Sequence, residues 1–214
     1  MLIVPLFAAA PLYAILDTAV RPDLPMEAVL DALLRAGVRV IQYRHKAAFG
    51  RSHFEQCVAL ARRTRQAGGA FLINDRADVA DLCGADGVHL GQEDVSPESA
   101  RRFLGTGPLI GYSTHTVDQA RRAAGLPVDY IAVGPVFPTT TKKNPDPVVG
   151  LALVSEVRAL TKKPLVAIGG ITMENAPSLL AAGADAVALI RDLLAAPDIE
   201  ERARQFLNAL KTRS

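Results

Sequence analysis

Short, almost wholly apolar runs recur along the chain at residues 12–16, 38–43, 70–73, 87–90, 109–111, 130–133, 165–168 and 186–189. None of them alternates apolar with polar positions. Strands of that character are covered on both faces, as in a parallel sheet. Between them lie amphipathic stretches with helical spacing, at 25–36, 52–66, 96–104, 117–124, 151–160, 175–182 and 199–210. Ser52, Ser96 ahead of Pro97, and the threonines 116 and 172 supply helix starts. Stops are equally regular. In AGV (36–38), CGADGVHL (83–90), AGLPVDYIAV (124–133) and AAGADAVAL (181–189), a helix ends at glycine and the chain turns into a strand. The recurring unit is a βα module.

Eight such modules within 214 residues predict an α/β fold, a single-domain (β/α)8 TIM barrel spanning 1–214, near the lower size limit of that architecture. A doubly wound sheet would carry a Gly-rich turn after its first strand, and no G-x-G-x-x-G stands there. Residues 1–10 read as an N-terminal leader. They lack the basic start of a secretory signal, and Pro5 and Pro11 interrupt the apolar run. No stretch reaches the roughly 18 charge-free apolar residues of a membrane span.

Composition narrows the function. The net charge of +2 comes without a long Lys/Arg run, which argues against a nucleic-acid arm or membrane patch. Aromatics make up 5% of the chain and Trp is missing, so base-stacking platforms are not expected. Cys57 and Cys83 sit among Ala, Leu and Val, as small buried hydrophobes do, and predict a reduced, cytoplasmic protein.

In a barrel, chemistry belongs on the loops after the strands. After the second strand, alternation places Gln42, Arg44 and Lys46 on one side and Tyr43 and His45 on the other. An amide, a guanidinium and an ammonium from one strand end suit a multiply charged anion. After the third and fourth come Asn74, Asp75 and Asp94, and two neighbouring carboxylates suit a hard cation such as Mg2+. Helix capping is the plainer role for either aspartate. Ser113 and His115 follow the fifth strand; His115 is either a general base or a structural hydrogen bonder. The four histidines show no zinc-ligand spacing, and His45 and His53 read as surface residues. The sixth strand leads into GPVFPTTTKKNPDPVVG, 134–150, where Thr139, Thr141 and Lys142 offer hydroxyls and an ammonium to phosphate. Loops of this length in compact domains usually have a function. Gly169 and Gly170 follow the seventh strand, and Ile190 and Arg191 open a short extra helix after the eighth. Those last two loops form the usual phosphate site of a barrel. Two anion sites at one mouth predict two phosphorylated small-molecule substrates.

The stretches QYRHK, LINDRADVA, GADGVHLGQED, GPVFPTTTK and AIGGI, in that order, resemble the thiamine-phosphate synthase family, and the likeness runs from YAILD (13–17) to DAVALIRDLL (185–194). The resemblance implies a barrel enzyme that joins a hydroxymethylpyrimidine diphosphate to a thiazole phosphate, releasing diphosphate through a dissociative step. It implies that Gln42, Arg44 and Lys46, with Asn74, hold the diphosphate. Asp75 and Asp94 would ligate Mg2+. Ser113 and Lys142 would meet the diphosphate or the pyrimidine. Thr139, Thr141, Gly170, Ile190 and Arg191 would meet the thiazole phosphate, and 134–150 would close over the mouth. A homodimer is implied as well. Two positions depart from the family pattern: Arg191 stands where Ser is frequent, and Leu16 where Thr is.

Two rival readings remain. A thiazole tautomerase of the same superfamily would use His115 as its base, but needs neither the aspartate pair nor the Thr-x-Thr-Lys loop. A non-catalytic phosphometabolite-binding barrel would keep Gly169-Gly170 and tend to lose the carboxylates.

Overall fold

The computed structural model describes residues 3–139 and 146–211. Strands β1 (Leu12–Asp17), β2 (Val40–Arg44), β3 (Ala70–Asn74) and β4 (Gly87–Leu90) pair in parallel, in chain order. Strands β5 (Leu109–Thr114), β6 (Tyr130–Val133), β7 (Leu165–Ile168) and β8 (Ala186–Leu189) continue the sheet, and β8 closes on β1. The connecting helices are α2 (Met26–Ala36), α3 (Arg51–Gln66), α4 (Ala77–Leu82), α5 (Pro97–Leu104), α6 (Val117–Gly125), α7 (Gly150–Leu160), α8 (Ala176–Ala181), α9 (Arg191–Leu194) and α10 (Ile199–Leu210), with α1 (Ile3–Ala9) ahead of β1. This is the expected (β/α)8 barrel.

Apolar side chains fill two layers. Leu12, Ala14 and Leu16 belong to the layer packed under the helices, with Leu30, Leu33, Phe206 and their neighbours. Tyr13 and Ile15, one position out of phase on the same strand, join Val40, Leu72, Leu109, Tyr130 and Val166 inside the barrel. That two-residue period along each strand is what carries side chains toward the mouth.

Helix α1 lies within the stretch read as a leader. Ile3–Ala9 forms α1, and its Ile3 and Phe7 are buried in the interior cluster. Phe7 meets Tyr130 edge-on at 6.2 Å and Tyr13 at 6.3 Å, near the starts of β6 and β1. So α1 closes the floor, opposite the C-terminal ends of the strands. Pro5 is tolerated because it sits in the first turn, where an N–H has no intrahelical partner. Phe7→Ala should destabilise the protein by about 3–5 kcal/mol through the cavity it leaves, read as a lower urea midpoint.

A repeated aspartate also holds the floor. Asp86, Asp129 and Asp185, each just ahead of an even-numbered strand, accept from the backbone N–H of Phe71, Ile110 and Leu165 at 2.9, 2.7 and 2.7 Å. Arg65, Arg101 and Arg158 pair with the same three carboxylates. Three of the four repeated stop signals, all but AGV (36–38), therefore end in one physical device.

Ser96 and Thr116 cap α5 and α6 as expected, each accepting at 3.2 Å from the residue three ahead. Ser52 does not cap. The first residue outside α3 is Gly50, whose N–H donates to His53 Nδ1 at 3.1 Å. Nor does the Thr172 side chain cap α8; its N–H donates to Asn175 Oδ1 at 2.9 Å, and Asn175 precedes the helix. Cys57 and Cys83 are buried free thiols, and burial pushes Cys57 up to about 12. Among the described residues no helix is long and apolar enough to cross a membrane.

Candidate active site

Inward-facing positions end at the mouth in polar side chains. Asp17 lies opposite Arg44 in the β1–β2 register, and the two form an ion pair, the carboxylate 4% and the guanidinium 15% exposed. Ala19 N–H donates to the other oxygen of Asp17 at 3.0 Å. Gln42 sits one layer deeper on β2, buried, with its Nε2 donating to Tyr13 Oη at 2.7 Å. Tyr43 points outward to Gln56 on α3 at 3.1 Å, and His45 stacks on His53 with centroids 4.0 Å apart. The predicted alternation along QYRHK holds.

Lys46 Nζ reaches across to Asp75 Oδ2 at 2.5 Å. Asp75 has a left-handed backbone, φ 66°, and its N–H donates to the His89 carbonyl at 2.8 Å. Left-handed non-glycine residues are uncommon and cluster at functional sites. Asp94 Oδ2 accepts from Gly91 N–H at 2.7 Å. Neither aspartate caps a helix: Ser96 caps α5, and α4 has no side-chain cap.

The two carboxyl groups are close enough to interact directly. Burial, and then the Asp75 charge, raise the Asp94 carboxyl, against the Gly91 N–H and Lys46. Like charges drawn together beside one ammonium make a place for a cation. No cluster of three or more potential metal-ligating side chains occurs among the described residues, so an ion held here would complete its shell with substrate or water oxygens. Next to this pair, Asn74 Nδ2 is the one buried side-chain polar atom without a partner among the described residues. Native structures rarely leave such a donor unsatisfied, and its position at the mouth fits a group waiting for a ligand.

Ser113 Oγ lies 2.9 Å from His89 Nε2, and the Ser113 carbonyl accepts from Gln92 Nε2 at 2.5 Å. Thus Gln42, Arg44, Lys46, Asn74, Asp75, Asp94 and Ser113 share one arc, from β2 to β5. Asp17, His89 and Gln92 belong to it too, and sequence reasoning gave them no role. A signal was available for Asp17, a carboxylate at the end of an otherwise apolar strand.

The other arc follows β6 to β8. Gly169 and Gly170 take positive φ, 101° and 63°, and a Cβ on Gly170 would lie 2.3 Å from the Pro138 carbonyl. The paired glycines let the loop after β6 lie directly on them, with Phe137 N–H donating to the Gly169 carbonyl at 3.0 Å. Thr139 is half-buried in that loop. Thr141 and Lys142 lie outside the described residues. Ile190 precedes α9, and Arg191, its first residue, is exposed. His115 approaches both ends of the loop, its Nδ1 2.5 Å from the Gly134 carbonyl and its Nε2 3.5 Å from Asp146.

A family model described as thiamine monophosphate synthase matches residues 12–193. The chain belongs to that family. It is 46% identical, over 203 residues, to a thiamine-phosphate synthase of Koribacter versatilis, covering 93% of this chain and 95% of that protein. With its counterpart in Lawsonia intracellularis it shares 39% identity over 94% of this chain and 93% of the other. The solved thiamine phosphate pyrophosphorylase from Pyrococcus furiosus superposes with a TM-score of 0.87 at 32% identity, covering 96% and 98% of the two chains. The family is one of transferases, and the matched segment contains both arcs of the mouth, from Asp17 to Arg191.

Proposed function

We propose that the chain is a thiamine-phosphate synthase that condenses 4-amino-5-hydroxymethyl-2-methylpyrimidine diphosphate with 4-methyl-5-(2-phosphoethyl)thiazole. The products are thiamine monophosphate and diphosphate. One observation carries the reading: Asp75 and Asp94 meet beside Lys46, with the unsatisfied Asn74 amide next to them. A carboxylate pair of this kind suits a hard cation shared with a phosphorylated ligand.

In this reading the bond from the pyrimidine methylene to the diphosphate oxygen breaks first, and the electron pair leaves with the diphosphate. The thiazole nitrogen lone pair then closes on the methylene cation. No side-chain nucleophile is needed. What must be stabilised is charge gathering on the leaving oxygens, and preorganised cations do this best in a site shielded from water. Arg44 and Lys46 supply two of them, and Asn74 donates its amide. Ser113 contacts the same substrate. Mg2+, when bound, would be held by Asp75 and Asp94 and would neutralise the departing diphosphate.

Gly170, Ile190 and Arg191 receive the thiazole phosphate, with Thr139 from the loop above them. Thr141 joins them, Lys142 meets the diphosphate or the pyrimidine, and 134–150 shields the cation from water. The protein works in the cytoplasm, on small molecules, as a homodimer; its free, buried cysteines suit a reducing compartment. The tautomerase reading leaves the Asp75–Asp94 pair without a role, since simple proton abstraction needs no cation shared with a diphosphate.

Calorimetric titration with inorganic diphosphate tests the carboxylate role. Binding should require Mg2+ and weaken at least about tenfold in Lys46→Ala, whose charge-assisted contact is worth about 1.5–3 kcal/mol. Equal affinity with and without the metal would remove the proposed site.

A further inference from the structure

A hydrogen-bonded chain crosses the barrel interior beneath the mouth. Gln42 Nε2 donates to Tyr13 Oη at 2.7 Å; Tyr13 Oη lies 2.9 Å from Tyr130 Oη, and Tyr130 Oη 2.8 Å from His89 Nδ1. His89 Nε2 then lies 2.9 Å from Ser113 Oγ. The direction of this chain follows from counting protons. An amide NH2 only donates, so Tyr13 accepts from Gln42 and spends its own proton on Tyr130. Tyr130 has then accepted, and its proton goes to His89 Nδ1. An imidazole that accepts at Nδ1 carries its proton at Nε2, so it donates to Ser113. Having accepted from His89, the Ser113 hydroxyl turns its own proton elsewhere.

We propose that His89 is a positioning residue, fixed as the Nε2–H tautomer by this one-way chain, which makes the Ser113 hydroxyl a donor to an acceptor atom of the pyrimidine diphosphate. Only the identity of that ligand rests on the synthase reading. Two further observations agree. Burial raises both phenols, Tyr13 and Tyr130, so each keeps the proton the chain requires. Gly111, opposite Tyr130 in the β5–β6 register, has no room for a side chain: an added Cβ would lie 2.0 Å from the phenol ring. The barrel gives up a side chain on β5 so that the Tyr130 hydroxyl can reach His89.

The first test is nitrogen-15 NMR of the histidine-labelled protein without substrates, which is independent of activity. Bare Nδ1 and protonated Nε2 on His89 support the proposal, whereas a proton on Nδ1 overturns it even if the protein is a synthase. Kinetics supply the second test. His89→Gln, whose amide can donate toward Ser113, should keep most of kcat/KM, and His89→Leu should lose about tenfold, the worth of one hydrogen bond. Equal losses in both variants, with folding intact, would make His89 merely structural and overturn the proposal. Ser113→Ala, titrated with magnesium diphosphate and with the pyrimidine diphosphate, locates the acceptor. Weakening of both places it on a phosphoryl oxygen, and weakening of the second alone places it on the pyrimidine ring. No weakening of either contradicts the donor role.

Discussion

Arg44→Ala should lower both stability and turnover, and the two losses should separate when Asp17 is changed as well. The Asp17 carboxylate is 4% exposed and paired with the Arg44 guanidinium. Removing the cation strands a buried charge, which costs about 3–5 kcal/mol in comparable pairs. Asn in place of Asp17 removes that charge while still accepting from Ala19 N–H. Arg44→Ala with Asp17→Asn should therefore recover most of the urea midpoint lost by Arg44→Ala alone. Turnover should stay low, because the guanidinium we propose for the leaving diphosphate is still missing. If turnover returned with stability, Arg44 would serve only to neutralise Asp17.

Asp94→Asn should show the opposite combination: a large loss of activity with a gain in stability. The substitution keeps an acceptor for Gly91 N–H and removes one of two carboxylates that repel each other. Loss of a comparable charge-stabilising group costs about 10²–10³ in kcat, and that is the expected drop. The stability effect carries a sign that pH exposes. The Asp94 carboxyl is raised by burial and by Asp75. A raised acid stabilises the fold while protonated, and that contribution is lost as pH climbs through its folded value. Without metal, the parent protein should lose ground to Asp94→Asn as pH rises from the ordinary carboxylate range through the raised one. Added Mg2+ should reverse the order. Urea midpoints at several pH values, with and without Mg2+, measure both effects; a constant difference across pH would mean that the Asp94 carboxyl is not raised.

The barrel was legible because its strands are covered on both faces and therefore read as plain apolar runs. β4, β6, β7 and β8 occupy the predicted residues, while β1, β2, β3 and β5 run further, to Asp17, Arg44, Asn74 and Thr114, and β2 starts at Val40, two residues later than expected. Those extensions are polar, so hydrophobicity alone stopped short of them, and they line the mouth. α1 was hidden by Pro5, which reads as a breaker yet sits harmlessly in a first turn. α4, six residues long, is too short to show a helical period.

The cluster of charges at the mouth was legible wherever charge stood at a strand end, as at Arg44, Lys46, Asp75 and Asp94. Less of the interior could be read. Nothing in VHL separates a histidine that spans Tyr130 and Ser113 from one that fills space, because its partners lie 41 and 24 residues away. Gly169-Gly170 read as an anion nest, and the closeness of the loop after β6 emerged only once the chain was folded.

The most direct measurement mixes the protein with the pyrimidine diphosphate, the thiazole phosphate and Mg2+ and follows thiamine monophosphate by chromatography. A synthase forms it together with one equivalent of diphosphate and stops when Mg2+ is chelated. Both substrates bound, with no thiamine monophosphate formed, would contradict the account.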